Sequence, residues 1–223
     1  MANTNAPFGL RPVRKLGSGG SFNMEMAKAY YVPSTDATAL YIGDPVVLIG
    51  TGNAAAFMDY PIGALPTVGI ATGGDVSSQA RQVLGSVVGI LPVHNQSLIY
   101  RPASTEAIVM VADDPNIVFE LQDDGGGTPA VTWIGSNANL ISGAGSTTTG
   151  LSGWALDGGT SDGPDGDADP LNDDARWRWS LWDVTDVPIE LDRGFTQGAA
   201  HTGQCWINCY FSRPLEGDLN TIY

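Results

Sequence analysis

The sequence predicts an all-β protein, a sandwich or a jelly-roll or barrel-like domain with an extended N-terminal arm and an acidic loop insertion. Three observations predict it. Apolar residues recur with period two in short runs, and Gly and Pro punctuate those runs at roughly 8–12-residue spacing. No long stretch carries a helical period. The 223 residues include 29 Gly and 14 Pro but are only 15% charged, a length that suits one large β domain.

The clearest stretch is Ala107–Asp124, AIVMVADDPNIVFELQDD. It predicts strands at Ile108–Ala112 and Ile117–Gln122 joined as a hairpin by Asp113, Asp114, Pro115 and Asn116, since Asp-Pro-Asn reverses a chain. The first strand is apolar on both faces and is expected to be buried on both. In the second, Val118 and Glu120 oppose Ile117, Phe119 and Leu121, the alternation of a half-exposed strand.

Taken in order, residues 1–26 read as an arm. Asn, Pro and Gly interrupt them, Gly17–Ser21 (GSGGS) is a flexible tether, and Phe8, Leu10, Val13 and Leu16 follow no sustained period. The β domain spans 27–213. Its strands are expected at Ala29–Val32, Ala39–Ile42, Val46–Ile49, Val68–Thr72 and Val83–Leu91, with Gly43-Asp44-Pro45 as a tight reversal. After the hairpin, Val131–Ile134, Ala138–Ile141 and Gly153–Leu156 are short candidates. Residues 157–174 (DGGTSDGPDGDADPLNDD) form the acidic insertion. Trp177–Val184 and Gln204–Ser212 close the core, and 214–223 is a C-terminal tail.

Charge narrows the partners. The formal total is −14, and a nucleic-acid partner would need a basic footprint instead. Residues 1–28 carry Arg11, Arg14, Lys15 and Lys28 against Glu25, a net of +3, which leaves −17 on the other 195 residues. An arm with that charge, and with Phe8, Leu10 and Val13 as apolar contacts, suits an extended segment lying across an acidic neighbour. No apolar run reaches membrane-spanning length, and the N-terminus lacks the apolar core of a signal peptide, so synthesis in the cytoplasm is expected.

Catalytic and metal motifs are poorly matched. Asp165, Asp167 and Asp169 alternate like calcium ligands, yet position six of such a loop is Pro170 and position twelve is Arg176, where glycine and a bidentate carboxylate are needed. Gly150–Trp154 is not a nucleophile elbow. His94 and His201 share no motif, and GAGSTTTG lacks the lysine of a phosphate loop. Cys205 and Cys209, on one predicted strand, lie about 13 Å apart at ~3.3 Å of rise per residue, too far for a disulfide to each other. No cofactor, catalytic residue or metal ligand is therefore assigned. Trp177 and Trp179 share one strand face and Trp182 the other. They are candidate subunit contacts, with stacking on sugar rings as the alternative.

Several segments resemble one family. NAPFGLRPVRKLGSG (residues 5–19), GDPVVLIGTG (43–52), VADDPNIVFELQ (111–122), GSNANLISGAGSTTTGLSGWALD (135–157) and CWINCYFS (205–212) are similar to corresponding stretches of the head cement, or capsid decoration, proteins of tailed bacteriophages. The acidic run after Asp157 departs from that pattern. The resemblance implies a structural virion protein that binds the outer capsid surface and fastens neighbouring capsomers, commonly as a homotrimer, with the major capsid protein as partner. It implies no enzymatic activity and no membrane partner. On this expectation Phe8, Leu10, Arg11, Val13, Arg14 and Lys15 form the capsid-binding arm. A major shell protein would need a long spine helix, which the sequence lacks. Outside virions the alternative is a carbohydrate- or receptor-binding β-sandwich module.

Overall fold

The computed structural model describes residues 6–15, 21–72, 83–93, 98–114, 116–122, 139–157, 179–183 and 206–211. The described residues are all-β apart from a single 3-10 turn at Met24–Met26. The strands are β1 (Arg11–Lys15), β2 (Lys28–Val32), β3 (Pro45–Gly52), β4 (Pro66–Ile70), β5 (Val83–Ile90), β6 (Ala107–Ala112), β7 (Ile117–Gln122), β8 (Asn139–Ile141), β9 (Ala155–Asp157), β10 (Trp179–Asp183) and β11 (Trp206–Phe211).

Five of these strands close a barrel in the order β2-β4-β3-β5-β6. A second sheet has the order β1-β7-β11-β10, and β8 pairs antiparallel with β9. Closure removes edge strands from the barrel, whose joints are antiparallel except for the short parallel contact between β2 and β4 at Tyr31 and Thr67.

Period two decides what each face buries. Tyr30, Val32, Val46, Val68, Val87, Val109 and Val111 form one apolar cluster. Their neighbours on the opposite faces, Val47, Ala71 and Ala112, join a second cluster with Ile117, Phe119 and Leu121 of β7, and with Leu10, Leu140, Trp154 and Leu156. Val46 and Val47 thus serve different cores because successive side chains leave a strand on opposite sides. The second sheet packs on the outside of the barrel through that cluster.

The expected hairpin is corrected. β6 pairs with β2 and β5, whereas β7 pairs with β1 and β11. Both edges of each strand are taken, so the turn after Asp113 carries the chain from barrel to sheet instead of folding it back. Asp114 starts that turn: its carboxylate accepts from the Asn116 amide at 2.9 Å and its carbonyl from Ile117 at 3.0 Å. β6 is buried on both faces as expected, but so is β7, where Val118 is fully enclosed. Its polar positions mark partners, not solvent. Glu120 accepts from Arg11, and Gln122 accepts from the Ala6 amide at 3.2 Å.

Ala39–Ile42 is not a strand. Leu40 and Ile42 make single bridges to Arg101 and Leu151, two different partners, so no ladder extends. The expected strand Val131–Ile134 and the insertion beyond Asp157 lie outside the described residues.

The arm is corrected over residues 8–15. Phe8 and Leu10 are both buried, and Leu10, completely enclosed, belongs to the cluster shared by barrel and sheet. Arg11–Lys15 is a sheet strand in register with β7, Arg11 opposite Glu120 and Lys15 opposite Ile117. Pro12 lacks an amide donor and sits where an edge strand tolerates it, beside a register shift between Pro12 and Arg14. The close fit is visible at Gly9 (φ 71°), where a Cβ would lie 2.3 Å from the Gly43 carbonyl oxygen. An irregular apolar period signals a core contributor here because the segment turns through a positive-φ glycine before entering the sheet.

Candidate functional site

The basic N-terminal side chains meet acidic partners on the protein's own body. The Arg11 guanidinium donates to Glu120 Oε2 from Nη2 at 2.6 Å and from Nε at 3.1 Å, and lies 4.7 Å from the Phe8 ring centre. Lys15 pairs with Asp114, and Lys28 Nζ lies 2.8 Å from Asp113 Oδ2. Asp113 also accepts from the Tyr30 hydroxyl at 2.7 Å. The hydrogen bond from Lys15 holds the Asp114 carboxyl below the usual carboxylate range. Of the predicted arm residues, Phe8 and Leu10 are buried, Val13, Arg14 and Lys15 are half-buried, and Arg11 is exposed. They converge on β7 rather than projecting from it. The carbonyl of Val13 accepts from Phe22 at 3.0 Å, so the outer edge of β1 is partly covered.

A different surface is presented to solvent by the loop between β3 and β4. Asp59 is the one charged residue from 45 to 72 in the sequence. Ala54, Ala55, Ala56, Met58, Pro61 and Ala64 are exposed, and Ile62 is 70% exposed. Buried Asn53 builds the base. Its amide nitrogen donates to Ala55 and Pro61 carbonyls at 2.8 and 2.9 Å, and its Oδ1 accepts from Leu65 at 3.0 Å. Phe57 and Tyr60 exchange two backbone hydrogen bonds of 3.1 Å around a tight turn. Met58 occupies that turn at φ 51°, a left-handed conformation that costs a non-glycine residue roughly 1–2 kcal/mol. Phe57 packs edge-on against Tyr31, with ring centres 6.1 Å apart, and anchors the turn to the barrel. These contacts brace the loop from its base beneath the exposed apolar groups.

Two further polar centres organise the framework. Arg101, fully buried, donates to the carbonyls of Thr38, Thr105, Pro33 and Asp36, the last three at 2.6, 2.7 and 3.0 Å. Burial lowers its basicity, and Asp36, 3.8 Å away, partly restores it. Asp44 is 1% exposed; burial pushes its carboxyl up to about 6, against hydrogen bonds from Ser152 and the Tyr41 amide that favour the charged form. Burial also raises the Tyr31 hydroxyl to about 12, with the hydrogen bond to Glu106 adding to it.

Sequence reasoning did not single out Asn53, Arg101 or Asp44 in these roles. Asn53 and Asp44 look like ordinary turn residues. Arg101 left one signal: it is the lone Lys, Arg, Asp or Glu between residues 83 and 105, and an isolated cation among apolar strands needs internal acceptors.

Trp177 lies outside the described residues. Trp179 and Trp182 fall on β10, whose backbone pairs with β11 from Trp179 opposite Phe211 to Asp183 opposite Asn208. His94, His201, Cys205 and the Asp165–Asp169 alternation also lie outside. Among the described residues no group of three or more His, Cys, Asp or Glu side chains is placed to hold a metal ion. No helix among them is long and apolar enough to cross a membrane. No family model, curated protein or solved structure matches the chain.

Proposed function

We propose that this protein is a structural component of a phage virion, binding the outer capsid surface and cementing neighbouring capsomers, with the major capsid protein and further copies of itself, as a homotrimer, for partners. The segment resemblances motivate this reading. The observation that carries it is the loop of residues 53–65: apolar, exposed, nearly uncharged and braced at its base by Asn53 on a strongly acidic chain. Exposed contiguous apolar surface marks protein contacts, and charge depletion is the compositional mark of an interface centre. Rigid anchoring lowers the ordering cost of binding. Phe8 and Leu10 are engaged in the protein's own core, so the apolar contact with a shell is assigned to Met58 and Ile62 instead.

The test mixes purified protein with undecorated, expanded heads and measures occupancy after sedimentation. Ile62→Lys places a charge at the centre of the contact and is expected to reduce occupancy at least tenfold, the equivalent of about 1.4 kcal/mol. The thermal midpoint should hold, because the side chain is 70% exposed. Full decoration by Ile62→Lys overturns the assignment to this loop, and absence of binding by the unaltered protein overturns the function.

A further inference from the structure

The join between barrel, N-terminal segment and the chain around Ser152 encloses one buried carboxyl, that of Asp44. Its backbone is tied on both sides: the Asp44 amide donates to the Tyr41 carbonyl at 3.1 Å, and its carbonyl accepts from Val87 of β5 at 2.9 Å. The preceding Gly43 donates to Val87 at 2.7 Å and accepts from Leu10 at 2.8 Å. Gly43 takes φ 94°, and a Cβ there would meet the Phe8 carbonyl oxygen at 2.1 Å. Ser152 completes the join. Its amide donates to Ile42 at 2.8 Å, its hydroxyl bonds to the Asp44 carboxyl, and its Oγ accepts from the Trp154 amide at 3.1 Å.

The carboxyl and its adjoining backbone are surrounded by groups from each packed segment. Tyr41, stacked on Tyr100 at 5.1 Å, is the titratable neighbour on its own loop. Ser152 faces it from the later segment, Val87 lies on β5, and the N-terminal segment brings the backbone of Phe8, Gly9 and Leu10 to the adjoining Gly43. Arg11, the next cation along, pairs with Glu120. Among the described residues no cation pairs with Asp44. Held away from water with no counter-charge, the ionised carboxylate is disfavoured by burial more than its two donors favour it, so the neutral acid is the less costly form.

We propose that Asp44 is a proton-operated latch: its neutral form locks the N-terminal segment and residues 150–154 onto the barrel, and its ionisation loosens that join. This device is independent of the cementing role. The sign follows from linkage. A carboxyl raised from 3.8 to about 6 binds more protons closed than open between those values. Stability of the join is therefore highest on the acid side and declines as pH rises towards 6, after which the loss is complete.

Amide hydrogen exchange, corrected for intrinsic rates, reads the latch directly. Protection of the Leu10 and Ser152 amides is expected to fall on the order of 10- to 100-fold between about pH 4.5 and about pH 7.5. Asp44→Asn, which cannot ionise, should flatten that change to within about threefold while retaining an acceptor for the Tyr41 amide. Ser152→Ala removes a donor to the charged form, so the same fall should deepen and extend to higher pH. It serves as the test if Asp44→Asn does not fold. Protection that is flat with pH in the unaltered protein overturns the latch. An equal fall in Asp44→Asn, or a fall not deepened in Ser152→Ala, overturns it too.

Discussion

Leu10→Ala separates an N-terminal segment that is part of the fold from one that merely hangs from it. Leu10 is fully buried in the cluster with Ile117, Phe119, Leu121, Trp154 and Leu156. Truncation removes three carbons from that cluster, about 2.4 kcal/mol of transfer free energy at ~0.8 kcal/mol per carbon. The strands on either side are fixed by their ladders, so the site collapses only partly and a cavity term adds to the loss. The expected destabilisation is about 3 kcal/mol. For a chain of 223 residues each kcal/mol moves the thermal midpoint by roughly 2–4 °C, so the midpoint should fall by about 6–12 °C. Denaturant titration supplies the free energy and calorimetry the midpoint. A loss below about 1 kcal/mol, with an unchanged denaturant slope, would refute the docking of this segment and restore the reading of a free arm.

Two predictions concern the framework. Arg101→Met keeps the buried stem but removes the donors to four carbonyls, and should cost more than about 3 kcal/mol in denaturant titration, because orphaned buried acceptors carry their full desolvation penalty. Met58→Gly relieves a left-handed non-glycine residue and should leave stability unchanged or raise it by about 1 kcal/mol, while removing an exposed apolar group from the loop and lowering head occupancy in the sedimentation assay.

Much of the barrel was legible in the residues. β2, β3 and β5 begin within one residue of their expected starts, and β7 matches its predicted bounds, because Val, Ile and Tyr runs bounded by Gly and Pro leave few alternatives to a strand. Pairing was not legible. The Asp113–Asn116 turn has hairpin chemistry, yet the strands on either side of it belong to different sheets. A turn motif fixes a local reversal, but the choice of partner depends on strands far away in sequence: β2 lies some 80 residues before β6, and β11 a similar distance after β7. The same limit hid the base of the 53–65 loop, where Asn53 gathers Ala55, Pro61 and Leu65 through bonds that only the folded chain brings within reach.

The charge asymmetry was legible as a quantity but ambiguous as to partner. A +3 segment on a −17 remainder can seek an acidic neighbour or its own body. Tethering favours the body, since a short linker holds the two at an effective concentration in the millimolar range, whatever partner is present. Arg11, Lys15 and Lys28 accordingly meet Glu120, Asp114 and Asp113. Arg11 and Lys28 remain largely exposed, and exposed pairs contribute about 0–1 kcal/mol each. Those ion pairs choose where the segment lands, while the burial of Phe8 and Leu10 keeps it there. Salt should therefore slow docking of the segment far more than it weakens the docked state. Under the proposed cementing role, the segment's apolar groups are already engaged in the protein's own core, and the shell contact is assigned to the nearly uncharged loop carrying Met58 and Ile62.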